Sequence, residues 1–142
     1  MILLALAAAV QVGAAQPIDR SPDAARAVVQ LYYAAIDRRD HRFAYRLWSG
    51  GGRASGQSYE AFVRGFAQTA RTRVVAGAPT DGDAGAGSVF VAIPVRIDAT
   101  LKDGRQQRFA GRYVLRRVND VPGATPEQLS WRLASAKLRE IR

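Results

Sequence analysis

Between Ser88 and Val118 the chain alternates apolar and polar residues twice over, and the two runs must agree on which side faces a core. Val89, Val91, Ile93, Val95, Ile97 and Ala99 alternate with Phe90, Ala92, Pro94, Arg96, Asp98 and Thr100. Past Lys102-Asp103-Gly104, a second set of Phe109, Gly111, Tyr113 and Leu115 alternates with Arg108, Ala110, Arg112, Val114 and Arg116. A period of two marks strands with one buried face, so the stretch reads as a long antiparallel hairpin. A two-residue turn at Asp103-Gly104 sets Val95 opposite Arg112 and Val91 opposite Arg116, which places guanidinium groups among apolar side chains. A three-residue loop with Gly104 in the left-handed position sets Ile97 against Phe109, Ile93 against Tyr113 and Val91 against Leu115. The hydrophobic match selects the longer loop and puts Asp98 across from Arg108 on the outer side. Pro94, which lacks an N–H, calls for a sheet edge or a bulge.

Upstream of the hairpin the apolar spacing is helical. Ser21-Pro22-Asp23 supplies an N-cap, a proline for the first turn and an acid near the helix dipole, and Ala25, Val29, Tyr32 and Ile36 form one stripe. Arg38 and Arg39 end that helix; Asp40 caps a second from His41 to about Trp48. Gly50, Gly51, Gly52 and Gly56 suggest a flexible loop, after which Ser58 caps a third helix from Tyr59 to about Thr69. Thr72 to Ala78 reads as a strand, Pro79 to Gly87 as a turn, Thr125 to Gln128 as one capped helical turn and Trp131 to Ile141 as the last strand. The expected class is α+β, with N-terminal helices packed on a curved four-stranded antiparallel sheet.

The first fifteen residues carry the unbroken apolar run Ile2 to Val10 followed by Gly13-Ala14-Ala15, the pattern of a secretory signal cleaved before a single domain over 16–142. Periplasmic or secreted localisation follows, with no stable membrane span after cleavage. No Lys or Arg precedes the run, which leaves the true start codon open and a buried N-terminal helix or membrane anchor as the other reading. The absence of cysteine excludes disulfides, thiol nucleophiles and thiolate metal sites. One histidine, His41, with neither cysteine nor a second imidazole to help, makes a conventional zinc site improbable; no metal and no cofactor are expected.

The net charge of +9 is carried almost wholly by arginine. Arg38, Arg42 and Arg46 recur every four residues, and Arg108, Arg112 and Arg116 recur along the outward side of one strand. Both rows are candidates for gripping an anionic surface such as phosphates, lipid headgroups or acidic polysaccharide, although such rows are most often solvated faces. No stacking aromatics interleave with the strand arginines, and an exported protein seldom meets nucleic acid, so nucleic acid is not expected as a partner. The triple glycine lacks the Lys-Ser/Thr pair and the preceding strand of a phosphate loop. Tyr33, Trp48 and Tyr113 are candidates for lining a ligand pocket, with core packing as the competing role. His41 with Asp37 one turn back is a candidate base only if geometry pairs them.

A helix ending in YYAAIDRRDHRFAYRLWS, a glycine loop, SYEAFVRGF, a long hairpin and a final strand resemble the nuclear-transport-factor-2-like superfamily, small exported bacterial members in particular. The resemblance spans roughly Ser21 to Ile141 and lies in element order and aromatic placement. It implies a cone in which the sheet wraps the long helix and leaves a pocket at its open end. Superfamily members include isomerases, dehydratases, cyclases, non-catalytic binding domains and sheet-mediated dimers. Its enzymes place acids, tyrosines or histidines inside the cone, whereas the inward hairpin set here has no acid and no histidine. The expected function is therefore an exported non-enzymatic binding module that holds a small apolar or amphipathic ligand, or an envelope partner. The alternatives are a proton-transfer enzyme using Tyr33 or Tyr113 with Asp37 or His41, and an assembly element that forms a homodimer through the arginine-bearing sheet side.

Overall fold

A computed structural model describes residues 17–80, 84–85 and 87–142; the signal-like segment over 1–15 lies outside the described residues. Helices come first and an open antiparallel sheet follows, in the order α1 (Pro22–Asp37), α2 (His41–Arg46), a 3₁₀ segment (Ser49–Ser55), α3 (Tyr59–Gly65), β1 (Thr69–Ala76), the two-residue β2 (Ala84–Gly85), β3 (Ser88–Leu101), β4 (Gln106–Val118), α4 (Pro126–Leu129) and β5 (Arg132–Ile141). The four long strands lie in the order β1-β3-β4-β5, with β2 paired to the start of β3.

The hairpin register is the one its hydrophobic pattern selects. Ile97 pairs with Phe109, Ile93 with Tyr113, Val91 with Leu115 and Asp98 with Arg108. Gly104 has φ 89°, and its N–H donates to the Leu101 carbonyl at 2.9 Å, which closes the three-residue loop. Ile93 and Leu115 are fully buried, while Arg96, Asp98 and Arg112 on the other face are exposed. Each fully buried aliphatic side chain stabilises the fold by about 1.5–3 kcal/mol, so the alternation itself decides which face is the core. Pro94 sits where β1 stops: the last β1 pair is Ala76 with Val95, and the Pro94 carbonyl accepts from the Gly77 N–H at 2.7 Å. Carbonyl and amide of one strand residue point the same way, so the missing N–H faces a side from which the ladder has departed.

Helix α1 lies along β1 and is tied to it at three points. The Thr72 N–H donates to Asp37 Oδ1 at 2.9 Å, Thr72 Oγ1 donates to the Tyr33 carbonyl at 3.3 Å, and Arg26 Nε donates to the Ala76 carbonyl at 2.9 Å. Ser21 Oγ accepts from the Ala24 N–H at 3.3 Å and caps the helix start. The Trp131 indole N–H donates to the Ser21 carbonyl at 2.9 Å, which joins that start to the entry of β5. The buried face of α1 carries Val29, Tyr32, Tyr33 and Ile36 against the inner face of β3 and β4.

Three boundaries differ from the sequence expectation. Helix α2 stops at Arg46 because Trp48 takes extended backbone and bridges to Leu133, whose N–H donates to the Leu47 carbonyl at 2.8 Å. Helix α3 stops at Gly65, and β1 begins at Thr69, not Thr72, because the long hairpin offers pairing partners as far as Leu101. The glycine-rich stretch forms 3₁₀ turns with Gly50, Gly51 and Gly52 all at positive φ.

Candidate functional site

Three buried tyrosines meet where α1 crosses the hairpin. The hydroxyls of Tyr33 and Tyr113 lie 2.6 Å apart and hydrogen-bond to each other, and Tyr32 contacts both rings edge-on. The side chains have almost no exposure, 6% for Tyr33 and 3% for Tyr113. Burial pushes the Tyr33 hydroxyl well above the ordinary tyrosine range, against the opposing pull of the Tyr113 hydrogen bond. Burial, reinforced by the neighbouring Tyr33, does the same to Tyr113, and burial next to Tyr113 does it to Tyr32. All three stay neutral at ordinary pH, which is the state of a packed core and not of a proton acceptor.

The other candidates for proton transfer lie apart from this trio. Asp37 is exposed and accepts from the Thr72 amide. The His41 ring stacks on Phe66 with ring centroids 6.2 Å apart and planes 14° from parallel, and its Nε2 is buried without a hydrogen-bond partner. Neither makes a hydrogen bond to the other or to a buried tyrosine.

Of the three aromatic pocket candidates, Trp48, itself only 7% exposed, borders a recess. The 460 Å³ hollow lies at the end of the sheet, bounded by Trp48, Ser49, Gly50 and Gly51 after α2, by Arg116, Arg117 and Val118 closing β4, by Thr125, Glu127, Gln128 and Ser130 around α4, and by Arg132 opening β5. This volume is within the range of small-molecule sites. An adjoining hollow of 610 Å³ shares Gly51, Glu127, Ser130 and Arg132 and adds Phe43, Arg46, Leu47 and Pro126.

Local sequence builds each wall. Gly52 has φ 112°, and a Cβ there would lie 2.1 Å from Tyr45 Cε1, so only glycine lets the loop pass over that ring. The Tyr45 hydroxyl in turn donates to the Gln57 carbonyl at 2.7 Å, anchoring the far end of the same loop. On the opposite wall Thr125 Oγ1 accepts from the Gln128 N–H at 3.2 Å while Gln128 Oε1 accepts from the Thr125 N–H at 2.9 Å, a reciprocal cap that holds the short α4 in place.

The six candidate arginines separate. Arg38 lies over the Phe43 ring and 3.6 Å from Asp40, and Arg42 lies over the Tyr59 ring at 4.9 Å. Arg46 borders the 610 Å³ hollow. Arg108 is 3.5 Å from Asp98 in an exposed pair, worth little in water; both line a small hollow of 230 Å³ with Arg71 and Arg73. Arg112 borders an outer-face trough of 690 Å³ floored by Ala92, Pro94, Ala110 and Ala136 and flanked by Lys137 and Arg139. Arg116 borders the Trp48 recess, and its Nε donates to Ser88 Oγ at 2.9 Å.

Two recess residues, Arg117 and Arg132, escaped the sequence reading. The signal for Arg117 was available, since it is the next member of the inward set after Phe109, Gly111, Tyr113 and Leu115. Arg132 gave none, because its place depends on a register shift between β4 and β5 at Val114/Leu115. Among the described residues no three His, Asp or Glu side chains gather as a metal site would require, and no helix is long and apolar enough to cross a membrane. Comparison with protein-family models, with curated proteins and with solved structures returns no match for this chain.

Proposed function

We propose that this chain is an exported, non-enzymatic binding module, similar in plan to the nuclear-transport-factor-2-like cone, and that it holds a small amphipathic molecule or an envelope partner in the recess at the end of its sheet. The observation that carries the reading is the contrast between the aromatic candidates. Tyr33 and Tyr113 use their hydroxyls on each other inside the core, whereas Trp48, although only 7% exposed, lines a 460 Å³ recess. Sites of this kind combine apolar walls with a few convergent polar groups, and Trp48 with Gln128, Ser130 and the arginines supplies both. The proton-transfer alternative has no comparable support, because Asp37 accepts from the Thr72 amide, His41 is stacked on Phe66 without a hydrogen bond to Asp37 or to a buried tyrosine, and the tyrosines are held neutral. Native mass spectrometry of protein purified from its own host, followed by extraction and identification of what it retains, tests the reading. A retained small molecule that Trp48→Ala releases is the expected result; ligand-free protein that binds nothing from a host envelope extract overturns it.

One observation favours a second reading, self-association through the sheet. The outer trough is apolar along its floor, and Val75 and Leu138 nearby are 66% and 39% exposed. Sedimentation velocity decides it: a dimer that Arg112→Glu dissociates supports assembly, and a monomer at all accessible concentrations removes it.

A further inference from the structure

The outer face of the sheet carries a charge pattern that the recess does not use. Strand pairing sets its side chains in a grid: Pro94 lies beside Arg112, Arg96 beside Ala110, and Asp98 beside Arg108. On β5, Arg139 continues the Ala110 row and Ile141 continues the Arg108 row. Pro94, Ala110 and Ile141 therefore fall on one diagonal across β3, β4 and β5. Arg112 and Arg139 flank it on one side, Arg96 and Arg108 on the other. The 690 Å³ trough and a second hollow of 470 Å³ share Pro94, Ala110 and Arg139, so the depression is continuous where the diagonal passes the first two of its residues.

An apolar floor inside a polar rim is the arrangement of a protein interface, and arginine is a cation that interfaces favour. All four flanking arginines are exposed. Among the described residues only Arg108 of the four has an ion-pair partner, Asp98 at 3.5 Å, so the rim holds cations free to meet carboxylates. Arg96 and Arg139 stand on strands two apart with Ala110 between them, a separation of about 10 Å. An α-helix with its side chains is about 10–12 Å wide. A helix with a stripe of small apolar residues can seat on Pro94 and Ala110, and acidic residues on both sides of that stripe then reach the arginines for charge-assisted hydrogen bonds. The same grid argues against other occupants. The diagonal offers a bilayer no aromatic or leucine side chain to insert, and its floor has no aromatic platform on which bases could stack. A second copy presenting this face would set arginine against arginine.

We infer that the outer sheet face docks an acidic amphipathic helix of another protein, with its small apolar stripe on Pro94 and Ala110 and its carboxylates on Arg96, Arg112 and Arg139. This seat shares no residue with the Trp48 recess and stands or falls independently of what the recess holds. Fluorescence anisotropy of the full chain with labelled helical peptides provides the test. The probe carries a stripe of alanine flanked by glutamate; one control replaces glutamate by glutamine, and another scrambles the order at constant composition. The acidic peptide should bind at least about tenfold more tightly than either control, with an affinity that falls as salt rises. Arg112→Glu and Arg139→Glu, checked for native circular dichroism, should each weaken it about tenfold or more and should bind the lysine counterpart of the peptide instead. Arg112→Gln and Arg139→Gln, with the same direction of effect on the acidic peptide, serve where a reversal does not fold. Equal affinity for the scrambled peptide would make the face a general attractor of anions and overturn the inference, as would no binding at all or an affinity that survives both replacements. A dimer in sedimentation velocity that Arg112→Glu dissociates would give the face to a second copy, and tighter binding to phosphatidylglycerol vesicles than to the peptide would give it to a membrane; either result overturns the inference.

Discussion

Deleting one hydroxyl of the Tyr33–Tyr113 pair should damage the protein more than deleting both. The two oxygens are 2.6 Å apart in a region where neither ring exceeds 6% exposure, so each hydroxyl depends on the other. Tyr113→Phe leaves the Tyr33 hydroxyl buried without its partner, and Tyr33→Phe does the converse; each should cost about 1–3 kcal/mol, the desolvation penalty of a stranded polar group. The double replacement strands nothing and keeps both rings, whose centroids are 6.1 Å apart, so it should cost less than about 1 kcal/mol. Taking about 2 kcal/mol for each single change, the double-mutant cycle should return a coupling of about 3 kcal/mol. Urea unfolding followed by far-ultraviolet circular dichroism measures all four proteins, with an unchanged denaturant slope as the check that the folded states are comparable. Single replacements that each cost under about 0.5 kcal/mol, or costs that simply add, would refute the reasoning and show that these hydroxyls find other partners.

Alkaline titration probes the same cluster. Tyr32, Tyr33 and Tyr113 keep their protons when folded above the pH, near 10.0, at which the unfolded chain gives them up, so the folded state binds more protons there and stability must fall as pH rises. The loss should be about 1.4 kcal/mol per pH unit for each of the three once the unfolded phenols ionise, and absent below that range; urea midpoints on either side of it read the slope. Gly52→Ala should destabilise by at least about 1–3 kcal/mol, since the added carbon overlaps Tyr45 in a backbone conformation that alanine resists, and it should weaken any ligand bound beside Gly51; thermal unfolding and titration with the extracted ligand measure the two effects. Asp98→Asn should change stability by less than about 0.5 kcal/mol at moderate salt, because the carboxylate and Arg108 are both mostly in water.

The hairpin was legible in the sequence because a one-residue slip inverts every side chain, and the three-residue loop keeps Ile93 with Tyr113 and Arg112 off the inner face. Helix starts were legible for a related reason. Ser21, Asp40, Ser58 and Thr125 each cap through a local hydrogen bond whose partner is three residues on. Helix ends were harder to place, since Trp48 leaves α2 to bridge Leu133, a residue distant in sequence, and β1 takes Thr69 from the expected end of α3. The recess was the least legible feature. Its walls come from two stretches distant in sequence, the segment after α2 and the β4–α4–β5 connection, and Arg132 reaches it through the β4–β5 register shift, which no local pattern announces. Tyr33 and Tyr113 had the composition of a pocket lining, but their pairing across eighty positions closes them off, and only the packing reveals it.

The proposal that binding occurs at the end of the sheet, with the tyrosine interior closed, is tested most directly by chemical-shift mapping of isotope-labelled protein as an envelope lipid extract of its own host is added. The account predicts saturable shifts at the Trp48 indole and at the amides of Gly51, Gln128 and Arg132, with Ile93 and Tyr113 unmoved. Shifts centred on Tyr33, Ile93 and Tyr113 would mean that the core opens to take the ligand, and would contradict it.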